Sequence, residues 1–361
     1  MRPVVILGGY GNFGKRIAAA LARSDVPVVV AGRNGERAGT LAADLGNSAT
    51  GVAVDIGVGL PAALADLAPS VVVNTVGPFQ TANYRVAEAC VAAGVHYVDL
   101  ADGRTFVTGI GQLDGAARAA GVAVISGAST VPGLSSAVLD RYCSDFARLD
   151  ALRFGISPGQ KAERGLATTR GILTYVGRPL APHPGMVGQT YGWQGLHRQD
   201  YPRLGRRWMA DCEVPDLDLL PERYGLTSIR FSAGLELGAL HLGLWGLSWL
   251  VRSGLPLGLP RHAELLLAAS NLFNVFGSAD GGMHMVMSGR DHDGRPLERR
   301  WFIVARNGDG PHIPTVPAIV LARAIAQGNA PEPGARPCLG LVSLEDYLAE
   351  LAPYAIRTYE R

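Results

Sequence analysis

The sequence predicts an α/β protein: a doubly wound parallel sheet, followed by a second α+β domain that contains an antiparallel sheet. Three observations carry the prediction. The chain opens on a strand, a glycine-rich turn and a helix. Strand and helix then alternate over about the first 125 residues, the pattern of a parallel sheet with crossover helices. Beyond that point the alternation stops, and Pro, Gly and Trp become frequent. A chain of 361 residues is long enough for two domains. The expected division is 1–130 for the parallel sheet and 131–312 for the α+β domain. Residues 313–361 are expected to form C-terminal helices packing back on the first domain.

The first element is an apolar run from Pro3 to Leu7. Gly8-Gly9-Tyr10-Gly11-Asn12-Phe13-Gly14 follows at once, and Lys15 to Arg23 reads as a helix. Gly9, Gly11 and Gly14 fit G-x-G-x-x-G in the strand–turn–helix setting that gives this spacing a mechanism. Gly9 is expected to permit the tight turn and Gly11 to leave room for a pyrophosphate. Gly14 is expected to let helix and strand pack closely. Asn12 and Phe13 complete the expected phosphate-side set, because a helix N-terminus offers unpaired N–H groups and a partial positive charge. The competing reading is a plain strand–helix turn; the flanks favour a Rossmann dinucleotide site.

Val26 to Ala31 reads as the second strand, ending at Gly32-Arg33-Asn34. In NAD-specific folds an acidic residue near this point binds the adenine ribose. Arg33 stands there instead, and a guanidinium pairs with a 2′-phosphate. NADP(H) is therefore preferred, with NAD(H) left open, and Asn34 joins the cofactor set. A cap facing solvent is the plainer role for Arg33. Arg37 to Leu45 is helical. Gly51 to Ile56 is the third strand, with Asp55 either beside the adenine or capping a helix. After a helix at Leu60 to Leu67, Ser70 to Thr75 is an apolar strand buried on both faces. Ligands of open parallel sheets bind beyond the carboxyl ends of the strands, so Thr75, Val76, Gly77, Pro78 and Phe79 are expected to pass the nicotinamide. Asn83 to Gly94 is a helix, His96 to Leu100 a strand, Phe106 to Ala120 a helix and Val122 to Ile125 a strand.

In the second half, Leu152 to Ile156 and Ser228 to Ser232 alternate as strands. Met283 to Ser288 and Arg300 to Ala305 flank a hairpin signal at Asp291-His292-Asp293-Gly294. Ile313 to Pro317 opens a helix running to Gln327, and Leu344 to Leu351 is a short amphipathic helix.

Composition narrows the classes. Hydrophobic residues make 48% and charged residues 18%, which supports a sizeable core. A net charge of +2 gives no concentrated basic face for nucleic acid. Cys90, Cys143, Cys212 and Cys338 are scattered without zinc spacing, so no metal site is expected and a cytoplasmic location is. The run Leu235 to Leu259 is strongly apolar but interrupted by Glu236, His241, Arg252 and Pro256. It reads as a buried helix rather than a transmembrane span. It is also the expected place for contact with a lipid-like substrate, a membrane surface or another subunit.

Gly9 to Gly14, Ala31 to Asn34, Asn74-Thr75-Val76-Gly77-Pro78-Phe79 and Tyr97-Val98-Asp99-Leu100-Ala101-Asp102-Gly103 resemble the saccharopine dehydrogenase-like family of NAD(P)-binding oxidoreductases. Val131-Pro132-Gly133-Leu134 resembles the turn by which that family enters its second domain. The resemblance covers roughly the first 140 residues. It implies a Rossmann domain, an α+β domain with substrate and dimer contacts, a homodimer, and pyridine-nucleotide chemistry. The arginine-rich signature expected for saccharopine itself is not seen in the sequence.

Hydride transfer needs a proton donor or acceptor beside the cofactor. Asp102, at the end of the fifth strand, is the first choice; capping the next helix is its plain alternative. His284, in an alternating strand, is the second, because histidine ordinarily titrates near neutrality. Asp99 reads as structural. Ser129, Thr130 and His312 are expected to touch substrate, with turn chemistry as the plain reading of the two hydroxyls. Asp291, His292 and Asp293 are assigned to a turn. The function read here is NADP(H)-dependent hydride transfer to or from a C=N or C=C bond of a small, partly apolar substrate. An enoyl reductase for lipid intermediates and a non-catalytic NADP(H)-binding regulator are the alternatives.

Overall fold

Short runs of Val, Ile and Ala build the first of two sheets in the computed structural model, which describes residues 1–46 and 49–361. The chain divides into two units. The first is Met1–Ala137 with His312–Glu350; the second is Val138–Pro311 with Leu351–Arg361.

The first unit holds β1 (Val4–Leu7), β2 (Val28–Gly32), β3 (Ala49–Ala53), β4 (Val71–Asn74), β5 (His96–Asp99) and β6 (Ala123–Ser126), with a further strand at Gly334–Pro337. In space the order is β3-β2-β1-β4-β5-β6 followed by Gly334–Pro337, and every pair is parallel. The chain leaves β1 towards β3, then returns to β4 on the other side of β1. This reversal opens a crevice at the carboxyl ends of β1 and β4. Val4 to Leu7 and Val71 to Val73 are buried, as strands covered on both faces must be. Helix Asn12–Ala22 buries Ile17, Ala18 and Leu21, whose spacing gives one apolar face. Helix Val316–Ala326 packs against that helix and against β4 and β5.

The helix expected from Phe106 to Ala120 is broken. It runs as Arg104–Thr108, a 3₁₀ turn at Gly109–Leu113, and Asp114–Ala119. Gly109, Gly111 and Gly115 give this stretch poor helix propensity. The third strand ends at Ala53, two residues before Asp55.

The second unit holds β7 (Arg148–Ser157), β8 (His197–Tyr201), β9 (Gly205–Asp211), β10 (Ser228–Ala233), β11 (Gly281–Arg290) and β12 (Pro296–Ala305). A terminal strand, Ile356–Glu360, pairs with β12. The order is terminal strand-β12-β11-β7-β10-β9-β8. The sheet is mixed rather than purely antiparallel, because β7 and β10 run parallel. The chain between them is long enough to cross over, since it also makes β8, β9 and two helices. The stretch after residue 313, expected as helices, therefore also contains two strands, one in each sheet. One face of the second sheet is apolar: Leu152, Phe154, Ile229, Phe231, Met285 and Trp301 are all buried there. The β11–β12 hairpin turns through Gly294 at φ +78°, and Asp291 Oδ1 accepts the N–H groups of Asp293 at 3.0 Å and Arg295 at 2.8 Å. Among the described residues no helix is long and apolar enough to cross a membrane.

Two glycines of the first unit respond oppositely to a methyl group. A Cβ on Gly14 meets Gly8 O at 2.3 Å and Gly9 Cα at 2.7 Å, whereas one on Gly39, inside helix Gly35–Leu45, meets nothing within 4 Å. Gly39→Ala is expected to stabilise by roughly 0.5–1 kcal/mol. Gly14→Ala is expected to destabilise by about 2 kcal/mol or more, since backbone must move. Urea unfolding of the two variants checks both signs.

Candidate functional site

The turn after β1 is closed by Gly8, not by Gly9. Gly8 has φ +74°, a conformation that costs a residue with a Cβ but not glycine, and its carbonyl accepts the Gly11 N–H at 2.8 Å. Gly9 instead lies against β2: its N–H donates to Ala31 O at 3.0 Å, and a Cβ there would sit 2.9 Å from Val30 Cγ1. Gly8 was missed because the motif spacing starts one residue later. The doublet Gly8-Gly9 directly after the strand was the available signal. Helix Asn12–Ala22 begins as soon as the turn ends, three residues earlier than expected, so Asn12, Phe13 and Gly14 form its first turn. Gly11 precedes them and offers no side-chain cap. Main-chain donors beside a bare turn fit a diphosphate.

At the end of β2 the Tyr10 ring covers Gly32, where a Cβ would fall 2.5 Å from Tyr10 Cε1. Tyr10 OH accepts the Asn34 N–H at 3.0 Å, and the Arg37 guanidinium lies 4.6 Å from the ring centroid. Asn34 Oδ1 caps helix Gly35–Leu45 by accepting the Arg37 N–H at 2.9 Å, so its side chain is already used. Arg33 is exposed. Arg37 is the residue that sequence reasoning missed here; its place in the first turn after Arg33-Asn34 was the signal. Asp55 is exposed beyond β3, and its Oδ1 accepts the Gly57 N–H at 2.8 Å in a side-chain turn.

Beyond β4, Thr75 Oγ1 donates to Leu7 O at 2.8 Å and lies 3.2 Å from Gly8 O, which ties this loop to the glycine turn. Val76 N–H is held by Asn74 Oδ1 at 3.0 Å. Gly77 and Pro78 lead to Phe79, which is buried with its ring 5.3 Å from that of Phe106. Phe79 is therefore a packing residue that directs the loop. Asp102 is partly exposed, and its Oδ1 accepts Gln80 Nε2 at 2.9 Å. Burial raises its pKa, and the Gln80 hydrogen bond opposes that. It does not cap the next helix, which starts after Gly103 with no side-chain cap.

Ser129 and Thr130 are both buried, in the turn that ends at Leu134. Tyr347 hydrogen-bonds Thr130 and also donates to Ile313 O, so it joins this turn to the neighbour of His312. His312 is partly exposed, and its carbonyl accepts Thr315 Oγ1 at 2.7 Å.

His284 belongs to the second unit. It is buried in β11, and its Nδ1 pairs with Tyr201 OH at 2.8 Å. Burial first, then the nearby His197 and Arg153, push its pKa down to about 3. The argument from a titration near neutrality therefore fails, because this imidazole is neutral at pH 7. Beside it lies a cleft of about 310 Å³ lined in part by Arg153, Arg198, Arg230, Arg300 and His197. Cross-strand register puts Arg230 next to Arg153, and Arg153 and Arg300 on either side of Val286. These arginines sit on separate strands, so the sequence does not show them as a cluster. Only the register gathers them.

Residues 4–125 match the family described as the saccharopine dehydrogenase NADP binding domain. The match covers about a third of the chain. Apo saccharopine dehydrogenase (L-Glu forming) of Saccharomyces cerevisiae has a similar fold, with a TM-score of 0.67 at 14% identity over 100% of this chain and 99% of that one. Two Mycobacterium tuberculosis proteins, from strains H37Rv and CDC 1551, are provisionally named trans-acting enoyl reductases. Each is 37% identical over 102 residues, 27% of this chain. The match spans only 24% of each relative's own length.

Within the first unit, Asp99 organises the loops that carry Asp102 and Ser129. It is fully buried, and its Oδ1 accepts the N–H groups of Ala101 at 2.9 Å and Gly127 at 2.8 Å and the Ser126 hydroxyl at 3.0 Å. Burial nevertheless raises its pKa from 3.8 to about 6, with those donors pulling the other way. A folded-state pKa above the unfolded one gives stability that is present below about pH 4 and is lost as pH rises through 6. The loss is at most about 3 kcal/mol. Asp99→Asn keeps an acceptor oxygen and carries no charge. Thermal melts from pH 4 to pH 7 are expected to show the wild type losing stability relative to this variant.

Proposed function

We propose that the chain is an NADP(H)-dependent oxidoreductase that moves a hydride to or from a C=N or C=C bond of a small, partly apolar substrate. The observation that carries the reading is the end of β2, where Gly32-Arg33-Asn34 holds an arginine and no acidic residue and Arg37, in the first turn of the next helix, lies over the Tyr10 ring. The glycine turn, Asn12, Phe13 and Thr75 would hold the diphosphate side of the cofactor, and Val76 to Phe79 would pass the nicotinamide. When bound, that ring supplies or accepts the hydride.

The protein's own task is then the proton. Asp102 is assigned to it, because its raised pKa keeps its carboxyl protonated to higher pH than a surface carboxylate. Gln80 fixes the orientation of that carboxyl. Ser129, Thr130 and His312 are assigned to substrate. His284, neutral and paired with Tyr201, is assigned hydrogen bonding rather than acid catalysis. The similarity to the proteins named as enoyl reductases favours C=C over C=N as a second, narrower reading.

Fluorescence titration with NADPH and NADH tests the cofactor half. Arg33→Ala with Arg37→Ala is expected to weaken NADPH at least ~10-fold and NADH much less, since only the former has a 2′-phosphate to lose. Equal losses would overturn the assignment. Asp102→Asn is expected to lower kcat by about 10²–10⁴-fold with cofactor affinity kept. In the direction where Asp102 gives up a proton, wild-type kcat should fall as pH rises through its pKa. Turnover of enoyl thioesters but not of imines would select the C=C reading. A variant Asp102→Asn, His284→Ala that matches wild type in every substrate screen would favour a non-catalytic regulator.

A further inference from the structure

Helix Gly238–Arg252 has its polarity inside out. His241 is 0% exposed, while Trp249 is 45% exposed. Ser248 is also buried, donating to Trp245 O at 2.6 Å, and His241 Nδ1 accepts the Leu235 N–H at 3.2 Å. Leu242, Trp249 and Leu250 recur at helical spacing on the outer side. A helix that faces water normally shows the opposite arrangement. The same inversion continues in Ala263–Asn271 and the 3₁₀ turn Leu272–Phe276, where Leu265 is 68%, Leu272 77% and Phe276 75% exposed. The end of this turn is tied to the approach to the first helix: Glu236 accepts the Ser278 N–H at 3.0 Å and the Ser278 hydroxyl at 2.6 Å.

From Gly238 to Ala279 the chain carries two arginines, Arg252 and Arg261, and a single carboxylate, Glu264. Glu264 is already bonded by Arg170 at 3.0 Å. Arg252 rests on neutral partners, 4.8 Å from the Trp249 ring centroid and 2.7 Å from Gln194 Oε1, so its charge stays uncompensated. Apolar side chains, exposed aromatic rings and unopposed cations are what an anionic lipid surface accepts. A two-fold copy of this chain would instead bring like cations together at the contact. The helix has 15 residues, about 22 Å, too short to span a bilayer, so it would lie along the surface.

We propose that the exposed apolar faces of Gly238–Arg252 and Leu265–Phe276 seat the protein on the surface of an anionic phospholipid bilayer. Co-sedimentation of the full chain tests it, using phosphatidylcholine vesicles with and without about a third phosphatidylglycerol. Binding is expected to be at least ~10-fold tighter on the anionic vesicles and to weaken with salt. Leu272→Glu with Phe276→Glu is expected to lose at least ~10-fold in vesicle affinity. Val187→Glu, at a side chain 93% exposed elsewhere in the second unit, should keep wild-type binding. NADPH titration of each variant should be unchanged, which separates failure here from failure of the cofactor assignment. Wild type that ignores anionic vesicles, or a double variant that binds them equally, would overturn the proposal. So would light scattering that shows a wild-type dimer dissociated by the double substitution, since the face would then belong to a second copy.

Discussion

The first unit depends on one close approach, that of the backbone around Gly8 to the first turn of helix Asn12–Ala22. Gly14 has no room for even one carbon beside Gly8 O. Thr75 Oγ1 reaches the carbonyls of Leu7 and Gly8 from the other side. A turn held from both sides keeps its amides aimed at one place, and a diphosphate bound there meets donors that need no rearrangement. The cofactor assignment therefore rests on steric exclusion, which a sequence reports through glycine spacing.

A second bracket extends the order along the sheet. Asp99 gathers three donors from the ends of β5 and β6 onto one oxygen, although burying its charge is unfavourable. Its cost and its use are linked. A carboxylate satisfies three converging donors better than a neutral amide, and those donors belong to the loops that carry Asp102 and Ser129. Asp102 differs from Asp99 in having one side-chain partner and partial exposure. Of the two carboxylates, the tightly bonded one shapes the loops, and the one with fewer bonds is the one proposed to exchange a proton.

The parallel sheet was legible because its strands are covered on both faces. Val4 to Leu7 and Val71 to Val73 read as continuous apolar runs, and each is followed by a helix of ordinary length. What escaped were features that depend on register or exposure. Gly8 rather than Gly9 takes the positive φ, which motif spacing does not encode. Arg37 comes to the end of β2 by lying over the ring of Tyr10, whose hydroxyl accepts the Asn34 N–H. Arg153, Arg230 and Arg300 share one cleft through pairings across four strands. His284 looked available for proton chemistry from its residue type alone, yet packing against Tyr201 and the neighbouring positive charge remove it from the titrating range.

The apolar stretch shows why hydropathy alone could not place it. Leu235 to Leu259 reads as a buried helix because its composition is apolar, but composition does not say which side faces inward. Two polar residues decide the matter. His241 and Ser248 are seven residues apart, two helical turns, and so share one face. His241 Nδ1 accepts the Leu235 N–H, and the Ser248 hydroxyl lies 3.5 Å from Trp193 O besides bonding Trp245 O of its own helix. Both side chains are fully buried, and the rotation that buries them turns Leu242, Trp249 and Leu250 outward. Exposure of those side chains thus goes with the burial of the two polar residues on the opposite side. Turning the helix over to hide them would carry the buried His241 and Ser248 outward and take the Ser248 hydroxyl away from Trp193 O, so the apolar face stays outward for whatever surface meets it.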